Sequence, residues 1–349
     1  MKKISLVPLT TLLLAGLLLG GAAEPARVEA AQEKPIELTF AIADPAGHPD
    51  VKNGFAVWAE EVAKRTNGRV KIVIHAGETL GKSSEQYDMV ARGGADITKV
   101  VGTHYRGRFP LLDIFSLPFT VPVDAKDKSG KFVHDRIIEK YIVPAYFKDM
   151  KVLFTGRYQP NVIHLAKKPV RKLEDLKGMV ISCPGGRTNI DLVKALGATP
   201  ETISTPDVYA ALEKGMVAGH ILPFSTQRSF KFYEVTKYVT LANFGAAATT
   251  IILNKKKWDG LPSEVQRVLD ELNPWGAALL EKVGNENEEG TAKLVKEKGL
   301  ELIGLSPQER ERWTTAASGI EKEWAAGLDG KGHPGSEMIK FVKQILSEK

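Results

Sequence analysis

Short apolar runs alternate with stretches in which apolar residues recur at helical spacing, from about residue 36 onward. This alternation constrains the fold more than any other feature of the sequence. Residues 36–42 alternate apolar and polar side chains, which predicts a strand. Apolar side chains then recur every three or four residues over 50–66, as in an amphipathic helix. Runs 70–75 and 97–101 are further strand candidates, with a second helix predicted over 83–94. This β-α-β-α-β order is typical of a sheet covered by helices.

The second half of the chain continues in the same style without a sequence repeat. Further strands are predicted at 152–155, 162–166, 179–183, 217–222 and 249–253. Two helices are predicted to begin at capping hydroxyls, Thr188 and Thr205. Residues 261–298 have helical composition and fit one long helix or two joined ones, and a last helical segment at 307–347 is interrupted at 327–335. The whole pattern predicts an α/β protein.

Residues 1–30 have the order of a secretory signal peptide. Lys2 and Lys3 precede an apolar stretch at 12–19, and a small-residue cleavage site follows, with cleavage expected after Ala30 and residues 21–23 as the alternative site. A retained N-terminal anchor helix is the alternative. No second apolar run of eighteen or more residues follows, so we expect an exported, periplasmic protein with no stable membrane insertion.

Composition excludes several classes of function. The 48 Lys and Arg residues against 42 Asp and Glu give a net charge of +6, and the basic residues are dispersed, which argues against a nucleic-acid binder. A single cysteine, Cys183, excludes an intramolecular disulfide and a multi-cysteine metal site. The seven histidines include no zinc-protease motif, and no phosphate loop or dinucleotide fingerprint is present. We therefore expect no metal, no cofactor and, more generally, a binder rather than an enzyme, with a periplasmic enzyme that uses Cys183 as the minor alternative.

Several segments in order resemble the solute-binding proteins of tripartite ATP-independent periplasmic (TRAP) transporters. The more specific of them lie at 173–178, 194–200, 208–217 and 232–238. The resemblance covers about residues 36–300. It implies a receptor that captures one small organic acid and delivers it to the TRAP membrane subunits. A sensory binding module with the same fold remains an alternative.

The resemblance also implies a fold and its division. We expect a two-lobed periplasmic binding protein of type II-like architecture, with crossing strands and a long helix between the lobes. Residues 34–157 with about 248–290 would form lobe I, and 158–247 would form lobe II. Residues 291–349 would form a C-terminal helical segment that packs on the lobes.

The chain departs from the family pattern at four positions around the expected cleft. Family members usually clamp the ligand carboxylate with an arginine, because guanidinium geometry matches a carboxylate, and Ser182 stands at that position. Asn161 lies near the place of a second arginine, Leu222 replaces a common asparagine, and Thr205 stands where an aromatic residue is common. These departures predict an acid with an apolar or aromatic body rather than a C4-dicarboxylate.

Other groups are candidates to hold the anion. Gly185, Gly186 and Arg187 precede a predicted helix, where free amides and a guanidinium can bind a carboxylate. Arg157 is another candidate cation, and Arg106 and Arg108 are weaker ones. The remaining candidate ligand contacts lie in loops between predicted elements: His48, Glu78, Thr103, His104, Tyr105, Tyr158, Phe224 and Phe244.

Overall fold

Two mixed β-sheets form the frame of the molecule. The computed structural model describes residues 34–105, 107–123 and 128–348, so the predicted signal peptide and Arg106 lie outside the described residues. The strands are β1 (Ile36–Ala41), β2 (Val70–His75), β3 (Ile97–Val101), β4 (Met150–Arg157), β5 (Asn161–Leu165), β6 (Val180–Cys183), β7 (Thr199–Thr202), β8 (Gly219–Pro223), β9 (Tyr238–Leu241), β10 (Ala248–Asn254) and β11 (Glu301–Gly304).

The helices cover these sheets and form the C-terminal segment. They are α1 (Ala56–Arg65), α2 (Gln86–Ala91), α3 (Lys128–Ile137), α4 (Val143–Tyr146), α5 (Arg187–Ala195), α6 (Thr205–Glu213), α7 (Thr226–Ser229), α8 (Lys255–Asp259), α9 (Ser263–Glu297), α10 (Pro307–Asp329) and α11 (Gly335–Ser347). A π-helical segment, Asp50–Phe55, leads into α1.

The first sheet has the order β2-β1-β3-β10-β4, and the second has the order β11-β9-β5-β8-β6-β7. The chain crosses from the first sheet to the second between β4 and β5, and it returns between β9 and β10. In the first sheet β1 pairs in parallel with β2 and β3, while β10 runs antiparallel between β3 and β4. The returning strand thus lies beside the outgoing one, and this pair of crossings is the predicted crossing-strand feature.

The helical stretch at 261–298 is one helix, α9, of 35 residues. Its first half packs on the first sheet through Val265, Leu269 and Leu272, and its last turns reach the second sheet through Val295. Pro274 lies inside this helix. Packing of the helix before and after the proline stabilises it against the backbone hydrogen bond that a proline cannot donate. The helix therefore spans both sheets, as expected of the long interlobe helix.

Two predicted helix starts are wrong by one or two residues. Helix α5 begins at Arg187 with Gly186 as its N-cap, so Thr188 lies in the first turn, and its hydroxyl is buried without a partner. Helix α6 begins at Thr205 itself, after Ser204. Helix α5 begins earlier than the capping hydroxyl suggested because Gly186 adopts a positive φ of 107° that a glycine tolerates, whereas α6 begins one residue earlier because Ser204 is its N-cap.

The C-terminal segment adds more than helices. Helix α10 packs on α5 and α11 packs on α3, while β11 extends the second sheet in parallel with β9. The sequence analysis did not predict this strand, which has four residues, of which only Ile303 is buried. The limits of the lobes stay a prediction.

Candidate functional site

A cavity of about 940 Å³ lies between the two sheets. The loops after β1, β2 and β3 form one side, the β4–β5 crossing forms the back, and the segments after β6, β7 and β8 form the other side. Helix α9 contributes one wall through Leu280 and Gly284. The volume is within the range of roughly 300–1,000 Å³ that is usual for small-molecule sites.

Most of the candidate residues line this cavity. They are His48, Glu78, Thr103, His104, Arg157, Tyr158, Asn161, Gly185, Thr205 and Leu222. They come from both sheets and from the crossing, so residues distant in sequence meet around one space. Their roles in binding stay a prediction.

Arg187 does not line the cavity. Its side chain is 79% exposed, and its Nε donates to Asp191 Oδ2 of the same helix at 2.6 Å. The neighbouring Gly186 also lies off the cavity wall, and a Cβ built on it would meet Asp113 of the first sheet's side at 3.8 Å. The start of α5 therefore faces an acidic side chain of the protein itself.

Ser182 is also off the wall. It is 1% exposed, its Oγ donates to the Gly219 carbonyl at 3.4 Å, and it pairs across the strands with His220. The side chain is too short to leave the sheet. The position where the family resemblance implies an arginine thus offers the cavity no cation.

Three aromatic candidates are buried in packed clusters rather than in the cavity wall. Tyr105 packs on Phe109, and its hydroxyl accepts the Tyr87 N–H at 3.1 Å. Phe244 stacks on Trp313 with ring centroids 6.0 Å apart. Phe224 packs with α9 and the second sheet. Burial in these clusters removes the apolar surface of the three aromatic rings from water.

A buried lysine organises the first-sheet end of the cavity. The Lys99 side chain is 1% exposed and lies on β3, where its Nζ forms an ion pair with Asp44, donates to the Tyr158 hydroxyl at 2.9 Å and lies 3.7 Å from Asp50. Burial alone would raise the pKa of Asp44, but Lys99 and His48 outweigh burial and lower it to about 2. The same carboxylates raise the pKa of Lys99 against the effect of its burial. These charges therefore persist at neutral pH.

The arginine of the crossing also lines the cavity. Arg157 ends β4, and its Nη1 donates to the Pro122 carbonyl at 3.3 Å. Gly130 makes room for this arrangement, since a Cβ there would lie 2.7 Å from Nη1 and 2.1 Å from the Pro122 oxygen. Beside it His134 is held by a hydrogen bond from Nδ1 to Asp135 at 3.0 Å. Burial lowers the pKa of His134, so its ring is neutral at pH 7.

Apolar side chains supply much of the remaining wall. Leu222, Phe230, Ile203 and Leu280 all face the cavity. Besides Asp44 Oδ2, which faces the Lys99 ammonium, three polar atoms of wall residues are buried and have no hydrogen-bond partner among the described residues: His134 Nε2, Thr249 Oγ1 and Asn287 Oδ1. An apolar wall with a few fixed polar groups is the usual construction of a small-molecule site.

Cys183 lies on the other face of β6 from Ser182 and packs in the core. Burial raises the pKa of its thiol to about 11, so at neutral pH the thiol is protonated. In the described part of the chain no group of three or more His, Cys, Asp or Glu side chains is arranged to hold a metal ion. Within residues 34–105, 107–123 and 128–348, no helix is both long and apolar enough to cross a bilayer.

Sequence reasoning missed Lys99, His134, Phe230 and Leu280 as site residues. Lys99 carried a signal, because a charge inside the apolar run 97–101 needs a buried partner. The others did not, since their place at the cavity depends on long-range packing of α3, α7 and α9.

Two sheets covered by helices enclose a cavity at the two strand crossings. This arrangement is that of a protein that holds a small molecule between two lobes. The family described as bacterial extracellular solute-binding protein, family 7 (DctP), matches residues 40–327, and the chain belongs to this family. The TRAP resemblance and the two-lobed fold are thus confirmed. The family consists of solute-binding receptors, is periplasmic in bacteria, and works with TRAP membrane subunits.

Individual relatives are distant in sequence but nearly complete in coverage. The chain is 25% identical over 304 residues to the C4-dicarboxylate-binding periplasmic protein DctP of Rhodobacter capsulatus, which covers 84% of this chain and 86% of that protein. A marine metagenome TRAP solute-binding protein specific for aromatic acid ligands, in complex with 3-hydroxybenzoate, is 28% identical with a TM-score of 0.82 over 90% of this chain and 98% of that one. A TRAP protein from Bordetella bronchiseptica with bound (R)- and (S)-mandelate is 25% identical. Its TM-score is 0.78, and the match covers 90% of this chain and 100% of that one.

Proposed function

We propose that this protein is a periplasmic receptor for a monocarboxylic acid with an apolar or aromatic body, which it delivers to TRAP membrane subunits. Arg157 binds the ligand carboxylate. The body of the ligand lies against Leu222, Phe230 and Leu280. Export by a signal peptide within residues 1–30 is part of this proposal.

The observation that carries the proposal is the arrangement of cations around the cavity. The position of the usual clamp arginine is Ser182, which is buried in its strand, and Arg157 is the arginine on the cavity wall among the described residues. A guanidinium presents paired N–H donors that match a carboxylate, so one arginine can anchor one acid group.

A second carboxylate would find little support. Lys82 and Lys131 line the cavity, but they pair with Glu78 at 3.0 Å and with Asp135 at 2.6 Å. Asp44 and Asp50, which also line the cavity, add negative charge. Because like charges in a partly buried site repel, a C4-dicarboxylate fits this cavity poorly.

A C4-dicarboxylate binder and two aromatic-acid binders have nearly the same sequence identity to this chain. Arg157, which is the one arginine on the cavity wall among the described residues, and the apolar wall support the aromatic-acid class. A sensory role without transport is the alternative that the same cavity permits.

The proposal also excludes catalysis by the chain's thiol. Cys183 is buried, protonated and on the sheet face opposite to Ser182. A nucleophilic cysteine needs an accessible thiolate. This supports a receptor that releases its ligand unchanged.

The test is a binding titration of Arg157→Ala, with Arg187→Ala as the matched control. Wild-type protein is titrated by calorimetry with benzoate, mandelate, succinate and malate. We expect an aromatic acid to bind, and Arg157→Ala to weaken it tenfold or more, since charge-assisted hydrogen bonds contribute roughly 1.5–3 kcal/mol. Arg187→Ala should leave the affinity unchanged. Tight binding of succinate alone, or an equal loss in both variants, would contradict the proposal.

A further inference from the structure

The first-sheet end of the cavity carries an acceptor and a donor side by side. Asp44 and His48 both line the cavity, and their side chains are 15% and 11% exposed. Both belong to the loop after β1. The proposed function assigns no ligand group to this end.

The Asp44 carboxylate has unused capacity as an acceptor. Its Oδ2 faces the buried Lys99 ammonium, and among the described residues Lys99 is the side chain that forms an ion pair with it. A carboxylate has two oxygens and about four acceptor positions. The exposed part of the carboxylate therefore presents a charged acceptor to the cavity.

His48 supplies the donor. Its Nδ1 accepts the backbone N–H of Asp50 at 3.2 Å, which leaves Nε2 as the ring nitrogen that can donate a hydrogen bond. The His48 ring lies 6.5 Å from the Phe230 ring, centroid to centroid, and Phe230 belongs to the apolar wall on the second-sheet side. A ligand ring in contact with Phe230 therefore brings its substituents close to His48 and Asp44.

We infer that Asp44 and His48 bind a hydroxyl group on the ligand, and that the acid is therefore a hydroxy-substituted aromatic acid. This inference rests on the proposed function and deepens it. A hydroxyl donates to Asp44 and accepts from His48 Nε2–H at once. A carboxylate or methoxy group has no proton for Asp44, and an ammonium has no lone pair for His48.

The role of Lys99 follows from the same geometry. Its ammonium forms an ion pair with Asp44, lies 3.7 Å from Asp50 and donates to the Tyr158 hydroxyl, so it holds Asp44 at the first-sheet end of the cavity. Lys99 is a positioning residue, because it contacts Asp44 rather than the ligand. It keeps the acceptor charged and in place.

The experiment compares matched ligands on the unmodified chain. Calorimetric titrations use benzoate, the three hydroxybenzoate isomers and the corresponding methoxybenzoates. We expect at least one hydroxybenzoate to bind about tenfold or more tightly than benzoate, a difference of about 1.4 kcal/mol, and its methoxy analogue to lose that gain. Hydroxybenzoates that bind no better than benzoate, or methoxy analogues that bind as well as their parents, would overturn the inference and leave the proposed function intact. If no aromatic acid binds, the proposed function fails and the inference fails with it.

Two variants locate the hydroxyl site. The readout is the ratio of the benzoate Kd to the hydroxybenzoate Kd, because a general effect on the fold cancels in this ratio. Asp44→Asn and His48→Phe should each bring the ratio close to one, whereas Arg187→Ala should keep the wild-type ratio. An unchanged ratio in both site variants would overturn the assignment to Asp44 and His48. If a variant does not fold, the ligand series on the unmodified chain decides.

Discussion

Replacing Lys99 with Met should destabilise the protein more than any other single lysine substitution on the first sheet. The change leaves the Asp44 and Asp50 carboxylates near each other without the ammonium that lies between them. Breaking a buried pair by removing one partner costs about 3–5 kcal/mol. The fall of the Asp44 pKa from 3.8 to about 2 is itself equivalent to about 2.5 kcal/mol at neutral pH. We therefore expect the free energy of unfolding to drop by about 3 kcal/mol.

The assay is urea unfolding at pH 7, followed by tryptophan fluorescence, with Lys71→Met as the control. Lys71 pairs with Glu37 at 3.6 Å on the same sheet, but both side chains are more than half exposed, so the control should lose less than about 1 kcal/mol. Because the folded pKa of Asp44 is below its unfolded value, its contribution is complete above about pH 4 and disappears as the pH falls toward 2. Without Lys99, burial raises the pKa of Asp44 in the variant, so the variant takes up a proton there and the gap between wild type and Lys99→Met should be widest at pH 8 and narrow as the pH falls. An equal loss in the two variants would refute the reasoning.

Three other buried positions give outcomes that separate measurements can check. Burial lowers the pKa of His164 to about 4, below the unfolded value of 6.5, so the free energy of unfolding should be highest above pH 6.5 and fall by up to about 3 kcal/mol between pH 6.5 and 4. Urea unfolding measured at a series of pH values checks this, and no change across this range would contradict it. Gly276→Ala places a Cβ 3.0 Å from the Phe154 ring and should lower the free energy of unfolding by about 1–3 kcal/mol, whereas Gly319→Ala, with nothing within 4 Å of its Cβ, should raise it by about 0.5–1 kcal/mol. Shifts of the melting temperature in the same direction for both variants would contradict this packing. Cys183 should react with a thiol reagent only after unfolding, and Cys183→Ala should bind ligand as wild type does; rapid labelling of the native protein would contradict its burial.

Much of the fold was predictable because hydrophobic period reports local structure. The runs at 36–42, 70–75 and 97–101 became β1, β2 and β3, and the long helical stretch became α9. The strand β11 was missed although Leu302 and Ile303 are apolar, because four residues between two helical stretches are too short for a clear period, and the strand forms by pairing with β9. The true helix starts were missed because backbone geometry at Gly186, rather than a capping hydroxyl, sets where α5 begins.

The candidate site was predictable in part, for a different reason. The resemblance located the cavity loops, and it marked Ser182 as a position without its arginine. The resemblance did not distinguish Arg157 from Arg187, because in the sequence each of them lies next to the end of a predicted strand or helix. Only the packing of α3 and Pro122 on one side, and the i,i+4 pair with Asp191 on the other, separates a cavity arginine from a surface arginine.

A crystal structure of the protein with bound benzoate would test the central claim most directly. The account predicts one benzoate between the two sheets, with its carboxylate within hydrogen-bond distance of the Arg157 guanidinium and its ring against Leu222 and Phe230. A carboxylate bound instead at Gly185 and the start of α5, with no contact to Arg157, would contradict the account.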